Sequence, residues 1–312
     1  MARTIDIDIP PLTGRRAVVT GASDGMGTII AARLAQAGAE VVMPVRDRAK
    51  GAAVADRIRS TVPDARLVLR DLDLASLDSV AAFGEGMRAD GQPVHILINN
   101  AGLMTPPERR TTVDGFELQW GTNHLGHVAL VGALFPLLQE ARARVTSQVS
   151  VVARSGAIDW HDLGAERPYR AQAAYRSSKI ALGLFGLELD RRSAAAGWGI
   201  SSNLAHPGVA PTNLLAAQPG YGRAADTGAV RMIRWLSARG LLVGTPETAA
   251  LPALLAATGP HAEGGRMYGP SGPGHLGGAP AEQTPYPPLR DAAEAARVWE
   301  VSEQQAGISL PV

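Results

Sequence analysis

Tyr175 and Lys179 stand four residues apart in a helical stretch, so they share one helix face. A free phenol, with a pKa of about 10, is a poor base near neutrality, and an adjacent ammonium favours its phenolate form. Such a pair can give a proton to a carbonyl oxygen or take one from an alcohol. Ser150 closes an apolar run and can hydrogen-bond the same oxygen, fixing its orientation. Upstream, Thr20-Gly21-Ala22-Ser23-Asp24-Gly25-Met26-Gly27 joins a strand-like run to a helical stretch. Gly21, Gly25 and Gly27 permit a tight turn and close approach of the backbone to a pyrophosphate. The helix N-terminus that follows offers free N–H groups and a partial positive charge.

These residues need a scaffold, and the hydrophobic pattern supplies one. Strand-like runs fall at 16–20, 40–45, 66–70, 94–98, 144–150 and 199–205, with a weaker one at 266–268. They are nearly continuous rather than alternating, as expected of strands covered on both faces. Helical stretches lie between them at 26–37, 47–60, 76–88, 113–141 and 171–195. The alternation predicts a doubly wound, Rossmann-type α/β/α fold with about seven parallel strands, in one domain over residues 1–312. Ser150 then lies at the carboxyl end of a strand, where open α/β sheets bind ligands. Beyond 205 the pattern loosens. One or two interrupted helices are expected in 212–239, a helix carrying Pro252 in 245–258 and a last helix in 291–305. Residues 264–289 hold seven Gly and six Pro and read as an irregular surface segment.

Composition narrows the function classes. The chain of 312 residues has 35 Gly, 22 Pro and no Cys, which excludes a disulfide scaffold, a Cys nucleophile and a thiolate zinc site. Hydrophobic residues make up 46%, enough for a large core. Net charge is +1, without the basic excess of a nucleic-acid binder. No signal-peptide pattern and no apolar run of membrane-spanning length is present, so a cytoplasmic protein is expected.

Six segments in order resemble the short-chain dehydrogenase/reductase family: the glycine loop, Asp73-Leu74, Asn99-Asn100-Ala101-Gly102, Ser150, Tyr175-Arg176-Ser177-Ser178-Lys179, and Pro207-Gly208 with Thr212 shortly after. They span roughly residues 14–215. The resemblance implies that Lys179 also holds the nicotinamide ribose and that Asn123 supports a water in a proton relay. Asp73 would bond the adenine amino group beside Leu74. Asn100, Ala101 and Gly102 would line the adenosine ribose path, and Pro207, Gly208, Val209 and Thr212 would also bind the cofactor. Ser23, Asp24 and Met26 complete the phosphate loop, with Ser23 reaching ribose or phosphate. The family commonly has Ser or Gly where this chain has Val149, and Ser147 lies three residues before Ser150. Strand alternation turns the two serines to opposite faces, and the one nearer the strand end is taken as catalytic. The gap from Ser150 to Tyr175 is 25 residues, longer than usual. Retinol-dehydrogenase-like members carry a comparable insertion, and 158–163, 123–127 and 73–77 also resemble that group.

An acidic residue ending the second strand would accept hydrogen bonds from the ribose of NAD, but Val45 occupies that place and Arg46 follows. A guanidinium there suits a 2′-phosphate, so NADP is expected, NADPH above NADH. Asp47 could reach a ribose hydroxyl, although an N-cap of the next helix is the simpler role. His124 and His127 lack an acidic partner at metal-ligand spacing, so no metal is expected. Trp235, Tyr221, Leu214 and Leu215 lie in the expected substrate lid, 209–240, and are weak candidates for an apolar wall. Arg191-Arg192 near a helix end would complement its dipole.

The resulting expectation is an NADP-dependent oxidoreductase moving hydride between nicotinamide and a carbonyl or secondary alcohol carbon of an apolar small molecule. Ser150, Tyr175, Lys179 and Asn123 form its catalytic set. The alternatives are an epimerase or dehydratase that retains its cofactor and a non-catalytic NADP-sensing protein. Many relatives pair through the two long helices, here 113–141 and 171–195, which makes a homo-oligomer one option and leaves the oligomeric state open.

Overall fold

A computed structural model of the protein describes residues 5–212, 214, 215, 220, 222 and 225–311. Strands β1 (Arg16–Val19), β2 (Glu40–Val45), β3 (Arg66–Asp71) and β4 (Ile96–Asn99) alternate with helices α1 (Gly25–Gln36), α2 (Arg48–Thr61) and α3 (Leu77–Ala89). There follow α4 (Leu118–Trp120), a π-helical turn (Gly121–Leu125), α5 (Gly126–Glu140) and β5 (Arg144–Gln148). A 3-10 turn (Val151–Arg154) then leads to α6 (Ala171–Ala196) and β6 (Ser201–Ala205). The chain ends with α7 (Gly228–Ala238), α8 (Pro246–Thr258), β7 (Met267–Pro270), β8 (Pro280–Gln283) and α9 (Ala292–Ala306).

The strands form one sheet in the order β3-β2-β1-β4-β5-β6-β7-β8. The direction of winding reverses between β1 and β4, which leaves a crevice at their carboxyl ends. Seven strands run parallel, as the apolar runs predict. The eighth, β8, is antiparallel to β7, pairing Met267 with Gln283 and Pro270 with Pro280. Its sequence, Pro-Ala-Glu-Gln, has no apolar run to betray it. Pro280 is tolerated because it opens a strand at the sheet edge.

Helices cover both faces because β1, β2 and β4 are largely apolar and buried. One core joins Ile30 and Leu34 of α1, Val54 of α2 and Leu251 and Leu254 of α8. The other joins Phe83 of α3, Leu134 of α5, Phe185 of α6 and Trp299 of α9. The Trp299 ring stacks on Phe185 at 5.0 Å between centroids. Helix α9 thus lies against α5 and α6, the two long helices.

Several elements differ from expectation for local reasons. The helix expected over 113–141 begins only at Leu118. Gly115 takes a φ of +87°, Thr111 bridges Glu117, and Val113 is exposed. The Glu117 carboxylate then caps α4 by accepting the Trp120 N–H at 2.7 Å. β5 stops at Gln148, and Ser150 is the extended N-cap of the 3-10 turn rather than a strand residue. Arg191 and Arg192 do not sit in the last turn of α6, which runs on to Ala196. Both grip the buried Glu188, at 2.6 and 2.7 Å. The 264–289 segment is more ordered than its composition suggests, holding β7, β8 and the buried Tyr286 and Leu289.

Candidate active site

The crevice at the β1–β4 switch holds a cavity of about 400 Å³. Its walls come from the glycine loop, the ends of β2 and β4, the 3-10 turn after β5, helix α6 and the segment after β6. Every residue singled out for cofactor or catalysis lines it except Asn123.

At one end, Gly21, Ser23, Asp24, Gly25, Met26 and Gly27 present the loop and the first turn of α1. A Cβ on Gly27 would sit 2.2 Å from the Gly21 carbonyl oxygen, so no side chain fits there and the loop folds flat on itself. Asp24 caps α1 by accepting the Gly25 N–H at 2.7 Å and also pairs with Lys50. Arg46, directly after β2, lines the same end. Lys50 adds a second cation that the sequence reading passed over; the signal was its place in the first turn of α2, three residues past the cap. That cap is Asp47, which accepts the Lys50 N–H at 2.9 Å.

In the middle, Asp73 and Leu74 face Asn100, Ala101 and Gly102. Asp73 accepts the Ala75 N–H at 3.0 Å, holding the turn that follows β3. Thr20 Oγ1 accepts the N–H groups of Asn100 and Ala101, both at 2.9 Å, and Asn100 Nδ2 donates to the Thr20 carbonyl at 2.8 Å. The two loops that flank the switch are therefore stitched to each other.

At the other end stand Ser150, Tyr175 and Lys179. Ser150 is the serine that faces the cavity. Ser147 is buried in β5 and accepts a 3.4 Å bond from Asn99 Nδ2. Tyr175 and Lys179 are almost wholly buried on one face of α6. The Lys179 ammonium donates to the Gln148 carbonyl at 2.8 Å, and burial pushes its pKa down to about 8. Asn123 lies behind this wall, in the π-helical turn. Its side chain bonds both backbone groups of Leu103 and donates to Ser178 Oγ at 3.1 Å. The space above Gly102 brings Asn123 and Lys179 together: a Cβ there would lie 3.1 Å from Asn123 Oδ1 and 3.4 Å from Lys179 Nζ.

The remaining wall is apolar and only partly foreseen. Leu103, Met104, Val149, Val152 and Ile233 join the expected Leu214 and Leu215. Pro207, Gly208, Val209 and Thr212 border it on the β6 side. The Val209 N–H donates to the Leu276 carbonyl at 2.8 Å, and the Val209 carbonyl accepts the Gly244 N–H at 2.9 Å. Trp235 turns outward instead, 51% exposed, with the Arg239 guanidinium 4.1 Å over its ring. Tyr221 lies outside the described residues. The His124 and His127 rings turn to different partners, Ser302 Oγ at 2.7 Å and Thr20 Oγ1 at 3.1 Å.

The family model described as short chain dehydrogenase matches residues 15–219, the span that builds all of this cavity except Ile233. The chain belongs to the short-chain dehydrogenase family. Within it the chain falls in the retinol-dehydrogenase-like group. It is 37% identical to human retinol dehydrogenase 13 over 302 residues, 96% of this chain and 87% of that one. It is 39% identical to mouse polyprenol dehydrogenase over 261 residues, 82% of this chain and 75% of the relative. Among solved structures it resembles an uncharacterized protein from Mycobacterium Paratuberculosis, with 34% identity, a TM-score of 0.78 and 98% of both chains covered. It also resembles the Pseudomonas aeruginosa RhlG/NADP active-site complex, with 27% identity and a TM-score of 0.63, over 85% of this chain and 98% of that one. This short-chain dehydrogenase is therefore an oxidoreductase by family. The insertion before Tyr175 packs onto α9, where Trp160 Nε1 donates to Glu294 at 2.8 Å and Arg297 lies 4.1 Å over the Trp160 ring. Among the described residues, no helix is long and apolar enough to cross a membrane.

Proposed function

We propose that this short-chain dehydrogenase interconverts a carbonyl and a secondary alcohol on an apolar small molecule, using NADP(H). The observation that carries the reading is the convergence of Ser150, Tyr175 and Lys179 at the apolar end of a cavity whose other end is a glycine loop. The flat loop at Gly27 fits a pyrophosphate, because the backbone there leaves room that any side chain would fill.

A nicotinamide cofactor held by these residues would supply or accept the hydride. The chain's own residues do the rest. Ser150 donates to the substrate oxygen and orients it. Tyr175 gives that oxygen its proton in reduction and takes it back in oxidation. The Lys179 ammonium, fixed on the Gln148 carbonyl, supports the negative charge that develops on the phenol oxygen. Asn123 braces Leu103 and Ser178 behind them. Arg46 is assigned to the 2′-phosphate, with Lys50 adding positive potential at that end. Leu103, Met104, Leu214 and Ile233 would exclude water and receive an apolar substrate.

A panel of carbonyl and alcohol substrates, followed by NADPH and NADH absorbance, tests the reading. Stoichiometric oxidation of NADPH by an apolar carbonyl is expected; substrate conversion without net cofactor change would instead indicate an epimerase or dehydratase. Tyr175→Phe should lose turnover at least a hundredfold, as expected for a general acid–base residue, while keeping NADPH binding. Normal turnover in that variant would sink the mechanism.

A further inference from the structure

His127 is wholly buried, one turn after Asn123 at the start of α5, and no step of the proposed reaction uses it. Its ring is held at both nitrogens. Nδ1 lies 3.0 Å from the Asn123 carbonyl oxygen and Nε2 lies 3.1 Å from Thr20 Oγ1. These partners fix the hydrogens. A carbonyl can only accept, so Nδ1 carries the proton and Nε2 is the acceptor. Thr20 Oγ1 already accepts two backbone N–H groups, from Asn100 and Ala101, so its hydroxyl hydrogen is the donor to Nε2. The Ile98 carbonyl, at 3.3 Å, is the longer alternative for that hydrogen. The resulting chain has one direction: the Asn100 and Ala101 amides donate to Thr20, Thr20 donates to His127, and His127 donates to the Asn123 carbonyl.

We propose that His127 is a positioning residue, a strut that sets the place of Asn123, and through it of the wall behind Lys179, from the loop that carries the nucleotide. The π-helical turn makes such a strut necessary. There the Gly126 N–H reaches back five residues to the Gly121 carbonyl, so the backbone ladder around Asn123 slips by one residue. The Nδ1–H bond from one turn further along supplies a fixed partner. The other end of the strut is Thr20, which stitches together the two loops that line the cofactor end of the cavity. The ring must be neutral to accept at Nε2, and burial, with the Lys179 charge nearby, keeps it so by lowering its pKa to about 4. The other facing groups, Thr20 and the Asn123 carbonyl, do not titrate, and His124 is buried and neutral as well.

The kinetic consequence rests on the NADP reading above; the hydrogen-bond chain does not. Imidazole ¹⁵N–¹H correlation spectra of the full chain should show His127 as the Nδ1–H tautomer from pH 8 to 5. Thr20→Val should shift its Nε2 resonance. The Nε2–H tautomer, or an Nε2 signal indifferent to Thr20→Val, would overturn the strut whatever the enzyme does. In kinetics, His127→Phe keeps a ring but neither bond and should lower kcat at least tenfold. His127→Asn restores a donor near the Nδ1 position and should recover kcat to within threefold of the parent, while the KM for NADPH should be raised in it and in Thr20→Val alike, since both lose the Thr20–His127 bond. Equal loss of kcat in the Phe and Asn variants, or parental kinetics in His127→Phe, would overturn the proposal. Should His127→Phe not fold, the tautomer and the Thr20→Val shift decide. A parent protein that neither binds NADPH nor turns it over, yet shows the expected tautomer, would refute the functional reading and leave the strut standing.

Discussion

Arg46 carries the choice between the two nicotinamide dinucleotides in the proposed site. It follows β2 directly, where an acidic side chain would favour the unphosphorylated ribose. Asp47 does not fill that acidic role here; its carboxylate is spent on the first turn of α2. A charge-assisted hydrogen bond to phosphate contributes about 1.5–3 kcal/mol, or roughly ten- to a hundredfold in binding. Arg46→Ala should therefore raise the KM for NADPH by about tenfold or more and leave that for NADH nearly unchanged. Steady-state kinetics with both cofactors checks this, and an equal effect on the two would remove Arg46 from the assignment. Most residues at this scale were legible because their chemistry is tied to spacing. Tyr175 and Lys179 share a helix face by arithmetic, and the loop glycines announce themselves by falling between a strand and a helix. Lys50 was legible only from its place three residues past the cap of α2, and the apolar wall was not legible, since residue type alone does not set it apart from ordinary core.

The β7–β8 hairpin shows why composition misled at the level of elements. A stretch dense in Gly and Pro reads as a loop, yet here the small residues serve close backbone approach. His206, the residue before Pro207, is buried with its ring against Gly269. Its Nε2 lies 2.9 Å from Gln283 Oε1 and 3.0 Å from the Tyr286 hydroxyl, and its Nδ1 accepts the Gly208 N–H at 3.3 Å. The edge hairpin thus reaches the Pro207–Gly208 turn at the cavity wall through one imidazole. A Cβ at position 269 would fall 2.0 Å from His206 Nε2, and the ring, bonded on both sides, has no free direction to move. Overpacking of this kind costs about 1–3 kcal/mol. Gly269→Ala should lower the thermal midpoint by several degrees and weaken cofactor binding, although the position lies outside the cavity wall. A variant that matched the parent in both would show that the hairpin is mere cover. Strands with continuous apolar runs were legible from pattern alone, whereas β8 was not, because an edge strand needs only backbone pairing and imposes little on its side chains.

Over the whole molecule, three imidazoles are buried in neutral form. Burial pushes His124 down to about 3 and His127 and His206 to about 4. Each lies below the ordinary 6.5, so between pH 6.5 and 4 the unfolded chain binds protons that the folded chain refuses. This contribution to stability is complete above about pH 6.5 and is lost as pH falls through the window. With about three protons taken up on unfolding, stability should fall by up to about 4 kcal/mol per pH unit near the acid end. Thermal midpoints measured across pH 7 to 4.5 should drop steeply below pH 6. A flat profile would mean that these rings are protonated in the fold or open to water. The positions of His124 and His206 could not be foreseen, since a sequence shows that a histidine is present but not what encloses it.

The bonds from Val209 to Leu276 and from Gly244 back to Val209 have a mechanical consequence. The two stems of this stretch are clasped to each other there, so its described residues between 210 and 243 belong to a bight, tied once more to the body where Arg110 donates to the Gly220 carbonyl. A single peptide cut within the bight would leave both stems knotted to the sheet. Brief digestion should therefore yield two fragments that travel together on a native sizing column and part only in denaturant. Separation under native conditions would show that the bight, and not its clasp, joins the two portions of the enzyme.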